Sequence, residues 1–313
     1  LLSAAVSGLH PAISNASLPS SKQNRRCFAF PLSRQDLAMT ARSSAPFGAR
    51  RDTMKVLICS SREAAIDRAA GMVADYVAAH PRAVLGLATG GTMLPLYQRL
   101  VDRHGKGHLS FAEVTTFNLD EYVGIAPEHP CSYHSYMRDA LFSHIDIDEA
   151  HTHLPLGNAD CVHQEARSYE TRINTAGGIS LQLLGIGQNG HIGFNEPTSS
   201  LGSRTRVKTL TETTRSANRR YFPADEDTPR YAITMGIGTI LDAQNCLLLA
   251  TGPEKAQAVA DMIEGPLSAI CPASALQLHP STTVILDEAS SANLRLTDYY
   301  HHVHPNGEET RFD

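Results

Sequence analysis

The chain has 313 residues, 42% of them hydrophobic and 19% charged, which is ample material for a sizeable core. No apolar run approaches the roughly 18 residues that a membrane-spanning helix needs. The formal charge of −5 is uneven: seven basic side chains against Asp36 and Asp52 give residues 1–53 a net +5, leaving −10 on residues 54–313. An acidic body lacks the concentrated basic surface that phosphate-backbone binding requires, which argues against a nucleic-acid ligand. Six scattered cysteines without a C-x-x-C pair argue against a disulfide framework or a zinc cage. They suit a reducing compartment, and a cytoplasmic location is expected.

Residues 1–53 are rich in Ser, Ala and Arg and lack sustained periodicity. The chain opens on Leu1, and a fluent strand sequence begins only at Met54. Residues 1–53 therefore read as a disordered extension or a non-native leader, with one domain over residues 54–313. Lys55 to Ile58 predicts a strand, and Arg62 to Ala79 an alanine-rich helix opened by Ser60 or Ser61. Ala83 to Ala88 reads as a buried strand, followed by T-G-G-T and a helix from Met93 to Asp102. A strand from Val114 to Asn118 ends at Asp120 and Glu121; helical regions follow at Ser132 to His144 and Asp160 to Ala176. Ile179 to Ile186 reads as a strand running into a glycine-rich turn, and Ser203 to Tyr221 as a polar stretch. Cys246 to Ala250, a helix from Glu254 to Ile263 and a strand from Thr283 to Leu286 complete the pattern. Short apolar strands alternating with helices predict an α/β fold: an open, mostly parallel, Rossmann-like sheet with helices on both faces.

Chemistry concentrates in the glycine turn, L-G-I-G-Q-N-G-H-I-G-F-N-E-P from Leu184 to Pro197. It places Asn189, His191 and Glu196 within eight residues, at a strand's carboxyl end where open α/β sheets bind ligands. His191 is suited to proton handling near neutral pH, with Glu196 to orient it. Thr89-Gly90-Gly91-Thr92 stands between a strand and a helix, either cradling an anion or capping the helix through Thr92. Of the adjacent acids Asp120 and Glu121, only one should face a site, because neighbours on an extended chain point opposite ways. A partly desolvated carboxylate there is a competent base, although an acid pair can also serve a helix N-terminus. Lys255 lies in the first turn of a predicted helix, where a cation is out of place unless an anion joins it. Arg204, Arg206, Lys208, Arg215, Arg219 and Arg220 make residues 204–220 the most basic part of the body. Fifteen histidines include clusters such as His129 with His134, but none has metal-ligand spacing, so no metal is expected.

Five segments stand in the same order as in glucosamine-6-phosphate deaminases. They are L-G-L-A-T-G-G-T (85–92), F-N-L-D-E-Y-V-G (117–124), S-Y-H-S-Y-M (132–137), the glycine turn (184–197) and S-R-T-R (203–206). T-R-S-A-N-R-R-Y-F (214–222) and A-S-A-L-Q-L-H (273–279) extend a resemblance that runs from Met54 to about Tyr300. The resemblance implies aldose–ketose isomerisation with deamination, turning glucosamine 6-phosphate into fructose 6-phosphate and ammonia without cofactor or metal. It implies Asp120 as the base between C2 and C1, and His191 as the ring-opening group tuned by Asn189 and Glu196. It places Thr89, Gly90, Gly91, Thr92, Arg220 and Lys255 around the substrate phosphate. Some members carry Asp where this chain has Asn189, and a neutral amide favours an imidazolium less. Some are hexamers activated by N-acetylglucosamine 6-phosphate; Ser200, Arg206, Lys208 and Tyr299 match parts of that second site, and a homo-oligomer is the corresponding expectation. The same broad fold serves 6-phosphogluconolactonases, and a related domain serves sugar-phosphate sensors, so both are alternatives.

Overall fold

The computed structural model describes residues 54–308, so the expectation for residues 1–53 lies outside the described residues. In chain order the elements are β1 (Lys55–Cys59), α1 (Arg62–Ala79), β2 (Val84–Leu87), α2 (Met93–Gly105), β3 (Thr115–Asn118), β4 (Asp120–Tyr122) and α3 (Tyr133–Ala140). Then come β5 (Thr152–His153), α4 (Val162–Thr175), β6 (Leu181–Leu184), β7 (Arg206–Thr209), α5 (Glu212–Asn218), β8 (Tyr231–Thr234) and α6 (Ile237–Leu241). The last are β9 (Cys246–Ala250), α7 (Ala256–Ile263), β10 (Thr282–Asp287), α8 (Glu288–Ser291) and α9 (Thr297–Val303).

Seven strands form one sheet in the order β1-β10-β9-β6-β2-β3-β5. Every pair in it is parallel. β9 is apolar along its length, β10 carries an apolar Val-Ile-Leu centre, and both are buried throughout, as strands covered on both faces must be. Helix α1 starts where Ser61 accepts the Ala64 N–H at 3.1 Å, and it buries Ala65, Ile66, Ala69, Ala70, Val73 and Val77. Small residues on that face let the helix lie close to the sheet. Gly86 of β2 serves a similar purpose, since a Cβ there would collide with the buried Gln182 of β6.

The chain runs from β2 to β3 on one side, then returns through β6, on the other side of β2, to β9 and β10. The direction of winding therefore reverses between β2 and β6. In open α/β sheets such a reversal opens a crevice at the carboxyl ends of the strands.

The sequence expectation of a mostly parallel sheet holds, and a second sheet adds to it. β4, β8 and β7 form a three-stranded antiparallel sheet beside the carboxyl end of β3. A small apolar cluster of Tyr122, Ile125, Phe194, Leu210, Phe222 and Ala232 supports it, separate from the main core. Residues 203–221, read from sequence as a polar stretch, contain β7, α5 and the 3-10 turn Arg219–Tyr221. Among the described residues no helix is long and apolar enough to cross a membrane.

Candidate active site

Four loops meet at the crevice, from the carboxyl ends of the adjacent strands β9, β6, β2 and β3. The β2 loop holds Thr89–Thr92. Gly90 adopts φ 107°, a conformation open to glycine and strained for other residues. Its carbonyl accepts the Met93 N–H at 3.0 Å and the Tyr136 hydroxyl at 2.8 Å, so α3 helps fix the loop. Thr92 sits at the start of α2 in helical geometry and makes no side-chain capping bond, which corrects the capping reading. The Gly90–Met93 backbone bond closes the turn instead, and this leaves the Thr92 hydroxyl free of that duty. Tyr221, from the 3-10 turn Arg219–Tyr221, places its hydroxyl 3.4 Å from where a Gly91 side chain would begin. Arg220 donates to that hydroxyl at 2.9 Å, which brings a guanidinium over the loop.

Lys255 lies in the 3-10 turn Pro253–Lys255 that leads from β9 into α7. Burial lowers its pKa and the Arg220 charge lowers it further, while Glu254 acts the other way. Two cations thus converge on one glycine loop at a helix N-terminus, an arrangement that an anion would relieve.

Asp120 opens β4, where it is 5% exposed. Its carboxylate lies 3.2 Å from the position a Gly193 side chain would take, and Gly193 has φ 53°, so any other residue there is crowded and strained. Burial, followed by the neighbouring Glu121 charge, pushes the Asp120 carboxyl up to about 8, against opposing contributions from the Phe194 backbone and Thr234. Glu121, one residue on, turns the other way. It accepts N–H groups of Tyr133 and His134 at the start of α3, and His134 Nδ1 at 2.9 Å. Glu121 thus serves the N-terminus of α3, and Asp120 is the acid left beside the glycine turn.

Asn189, His191 and Glu196 lie together on the turn after β6. Asn189 Nδ2 donates to Glu196 Oε2 at 2.8 Å, and Asn189 Oδ1 accepts the His191 N–H at 3.3 Å. The His191 ring packs over Gly187, where a Cβ would overlap it. Its buried Nδ1 has no hydrogen-bond partner, and Glu196 Oε2 stands 3.7 Å away, at ion-pair range. Burial acts to raise the Glu196 pKa, but His191, Thr214 and Asn189 outweigh it and hold the carboxyl at about 2. Glu196 is therefore a fixed negative charge beside the ring. Thr211, at the cap of α5, adds its N–H and hydroxyl to Glu196 Oε1, both at 3.2 Å. Sequence reasoning missed Thr211, whose only local signal is its place before α5.

The second-site residues are less unified. Arg206 and Lys208, two apart on β7, share a face, and the Arg206 charge reaches Lys208. Arg206 donates to Asn195 Oδ1 at 2.8 Å, which ties β7 to the glycine turn. Ser200 is exposed. Tyr299, on α9, is 59% exposed and meets Tyr300 at 5.9 Å between ring centroids. Among the described contacts none joins Tyr299 to β7. Of the histidine cluster His129 and His134, His134 meets Glu121 and His129 meets Glu226.

A glucosamine-6-phosphate deaminase of Hahella chejuensis is 56% identical over 250 residues, 80% of this chain and 95% of the relative. One from Shewanella woodyi is 51% identical over the same span, again 80% and 95% of the two chains. The solved structure of a monomeric glucosamine-6-phosphate deaminase is 48% identical with a TM-score of 0.75, covering 77% of this chain and all of its own. The 6-phosphogluconolactonase of Trypanosoma brucei shares the fold alone, at 18% identity and a TM-score of 0.62 over 77% of this chain and 98% of its own. Residues 60–285 match the family described as glucosamine-6-phosphate isomerases/6-phosphogluconolactonase, and the chain belongs to that family.

Proposed function

We infer that this chain is a glucosamine-6-phosphate deaminase, releasing ammonia from glucosamine 6-phosphate and leaving fructose 6-phosphate. The observation that carries the reading is the buried Asp120 carboxyl, poised near 8 against the glycine turn that bears His191. Lactone hydrolysis needs an activated water, whereas isomerisation needs a base that reaches two adjacent carbons. A single buried carboxylate with a raised pKa suits the second task.

Each residue has a role that follows from its setting. Thr89, Gly90, Gly91, Thr92, Arg220 and Lys255 hold the phosphate, and that binding energy orients the sugar. His191 moves the proton that opens the pyranose ring. Glu196 stabilises the charge His191 gains, and Asn189 holds both in place through its two amide atoms. Asp120 takes the C2 proton and returns it at C1, and the amine leaves as ammonia after water adds at C2. Protein groups supply all of these steps. We assign catalysis to residues 54–313 and a cytoplasmic location to the protein.

A second phosphate site for N-acetylglucosamine 6-phosphate, in a homo-oligomer, is supported by the two cations on one face of β7. The Arg206–Asn195 bond would couple it to the glycine turn. Rate curves that do not respond to that activator at any substrate level would reject this second site. The deaminase reading is tested by assaying ammonia from glucosamine 6-phosphate beside hydrolysis of 6-phosphogluconolactone. Turnover of the amino sugar alone is expected. Lactone hydrolysis without ammonia release would overturn the reading.

A further inference from the structure

A cluster outside the residues assigned to catalysis brings together three metal-binding side chains of different chemistry. His129 and Cys131 lie in the loop between β4 and α3. Glu226 belongs to the segment after the 3-10 turn Arg219–Tyr221. One ligand atom from each, a nitrogen, a sulfur and an oxygen, fits within 4.8 Å of the others. His129 Nε2 stands 3.0 Å from Glu226 Oε2, and the Cys131 thiol donates to the Tyr221 carbonyl at 3.2 Å. The side chains of His129 and Glu226 are 29% and 43% exposed, so an ion can enter from solvent. Among the described residues this is the one group of three or more His, Cys, Asp or Glu side chains with that spacing.

We propose that His129, Cys131 and Glu226 bind one soft divalent cation of the zinc type, with water as the fourth ligand. Nitrogen, thiolate and carboxylate are the donors zinc takes, at spacings that a small inward movement of exposed side chains can reach. The cation replaces the proton that His129 Nε2 now directs at Glu226. His129 Nδ1 accepts the Cys131 N–H at 3.1 Å, so the ring proton must move to Nδ1 and that contact must open on binding. The thiol gives up its proton to the solvent. Uptake should therefore release about one proton per ion.

Such an ion would tie two segments that are otherwise joined by few bonds. Tyr221 and Arg220 lie immediately ahead of Glu226 and cover the phosphate loop. Metal occupancy would therefore restrain Tyr221 and Arg220 beside that loop, and turnover would fall. This consequence rests on the proposed deaminase activity, whereas the binding itself does not.

The test uses the full chain after chelator treatment, titrated with Cd²⁺ while the thiolate-to-metal absorption band is followed. One ion per chain is expected, with a thiolate band, and the same site should take Zn²⁺ in competition. Cys131→Ser should abolish the band, and Glu226→Gln should weaken binding by about tenfold or more. Cys161→Ser, which removes an exposed cysteine elsewhere, should leave both unchanged. Thermal melts confirm that each variant is folded. Zn²⁺ should slow ammonia release by the wild type and not by Cys131→Ser. A band that survives in Cys131→Ser, or one that is lost in Cys161→Ser, would overturn the proposal, as would the absence of any thiolate band. If Cd²⁺ binds as expected while no ammonia forms under any condition, the deaminase reading fails and the metal site stands.

Discussion

Asp120 is placed where an ionised carboxylate is unwelcome, and its reactivity follows from that. Desolvation and the Glu121 charge raise its pKa to about 8, so near pH 7 only about a tenth of the free enzyme carries the base form. The rate constant kcat/KM should therefore rise with pH through an acid limb centred near 8. An acid limb near 4, the ordinary carboxylate range, would show that the group is not perturbed. Stability should move the opposite way. Between about 4 and about 8 the folded chain holds a proton that the unfolded chain has lost, so stability falls as pH rises across that window. Asp120→Asn should then melt roughly 2–4 °C higher than wild type at pH 8 while losing activity. A lower melting temperature at that pH would contradict the assignment.

Gly193 makes the same point from the other side. Its φ of 53° and a Cβ position 3.0 Å from Thr234 Oγ1 and 3.2 Å from Asp120 Oδ2 mean that a side chain would strain the backbone and press on the carboxylate. Gly193→Ala should push the carboxylate from its place and lower kcat by about 100-fold, with KM little changed, as steady-state rates would show. Some of this was legible in sequence. The turn announced itself by its glycines and polar density, but which of Asp120 and Glu121 faces it was not. Pleat alternation says that they diverge, and only the neighbours Gly193 and α3 decide which goes where.

Among the elements, Glu121 connects the strand that carries the proposed base to the helix that steadies the proposed phosphate loop. It is 1% exposed and accepts the first N–H groups of α3. From α3, Tyr136 reaches back to the Gly90 carbonyl. Glu121→Gln keeps a hydrogen-bond acceptor but loses the charge, so two effects should appear together. The acid limb of kcat/KM should move to lower pH, because one cause of the raised Asp120 pKa is gone. KM should rise several-fold as α3 loosens its hold on Gly90. A pH profile identical to wild type would show that the charge on Glu121 does not reach the base.

Elements with a strong apolar period were readable in advance. α1 has the bounds that its alanine-rich pattern predicts, and β9 those of its apolar run. The small antiparallel sheet was not readable. Arg-Val-Lys-Thr of β7 has one apolar residue, and β4 has only three residues in all. Their pairing depends on β8, which is distant in sequence from β4, so no local pattern announces it.

For the molecule as a whole, function follows from winding. The reversal between β2 and β6 separates the phosphate loop from the glycine turn by one strand spacing, and β3 and β9 bring Asp120 and Lys255 to either flank. In the proposed function the acidic body leaves anion recognition to a few local cations, Arg220 and Lys255 at the loop and Arg206 and Lys208 on β7. This division was partly visible from charge alone, since residues 204–220 are the most basic part of the body. The meeting of Arg220 with Lys255 was not visible, because it depends on the chain reversing over the sheet.

In the proposed mechanism one carboxylate carries a hydrogen from one carbon to the next. This is tested most directly by supplying glucosamine 6-phosphate deuterated at C2 and measuring the label at C1 of the fructose 6-phosphate formed. Wild type should deliver part of the deuterium to C1, the remainder being lost to solvent, and Asp120→Asn should deliver none and form product at least about 100-fold more slowly. Label transfer that persists in Asp120→Asn at a rate near wild type would contradict the account.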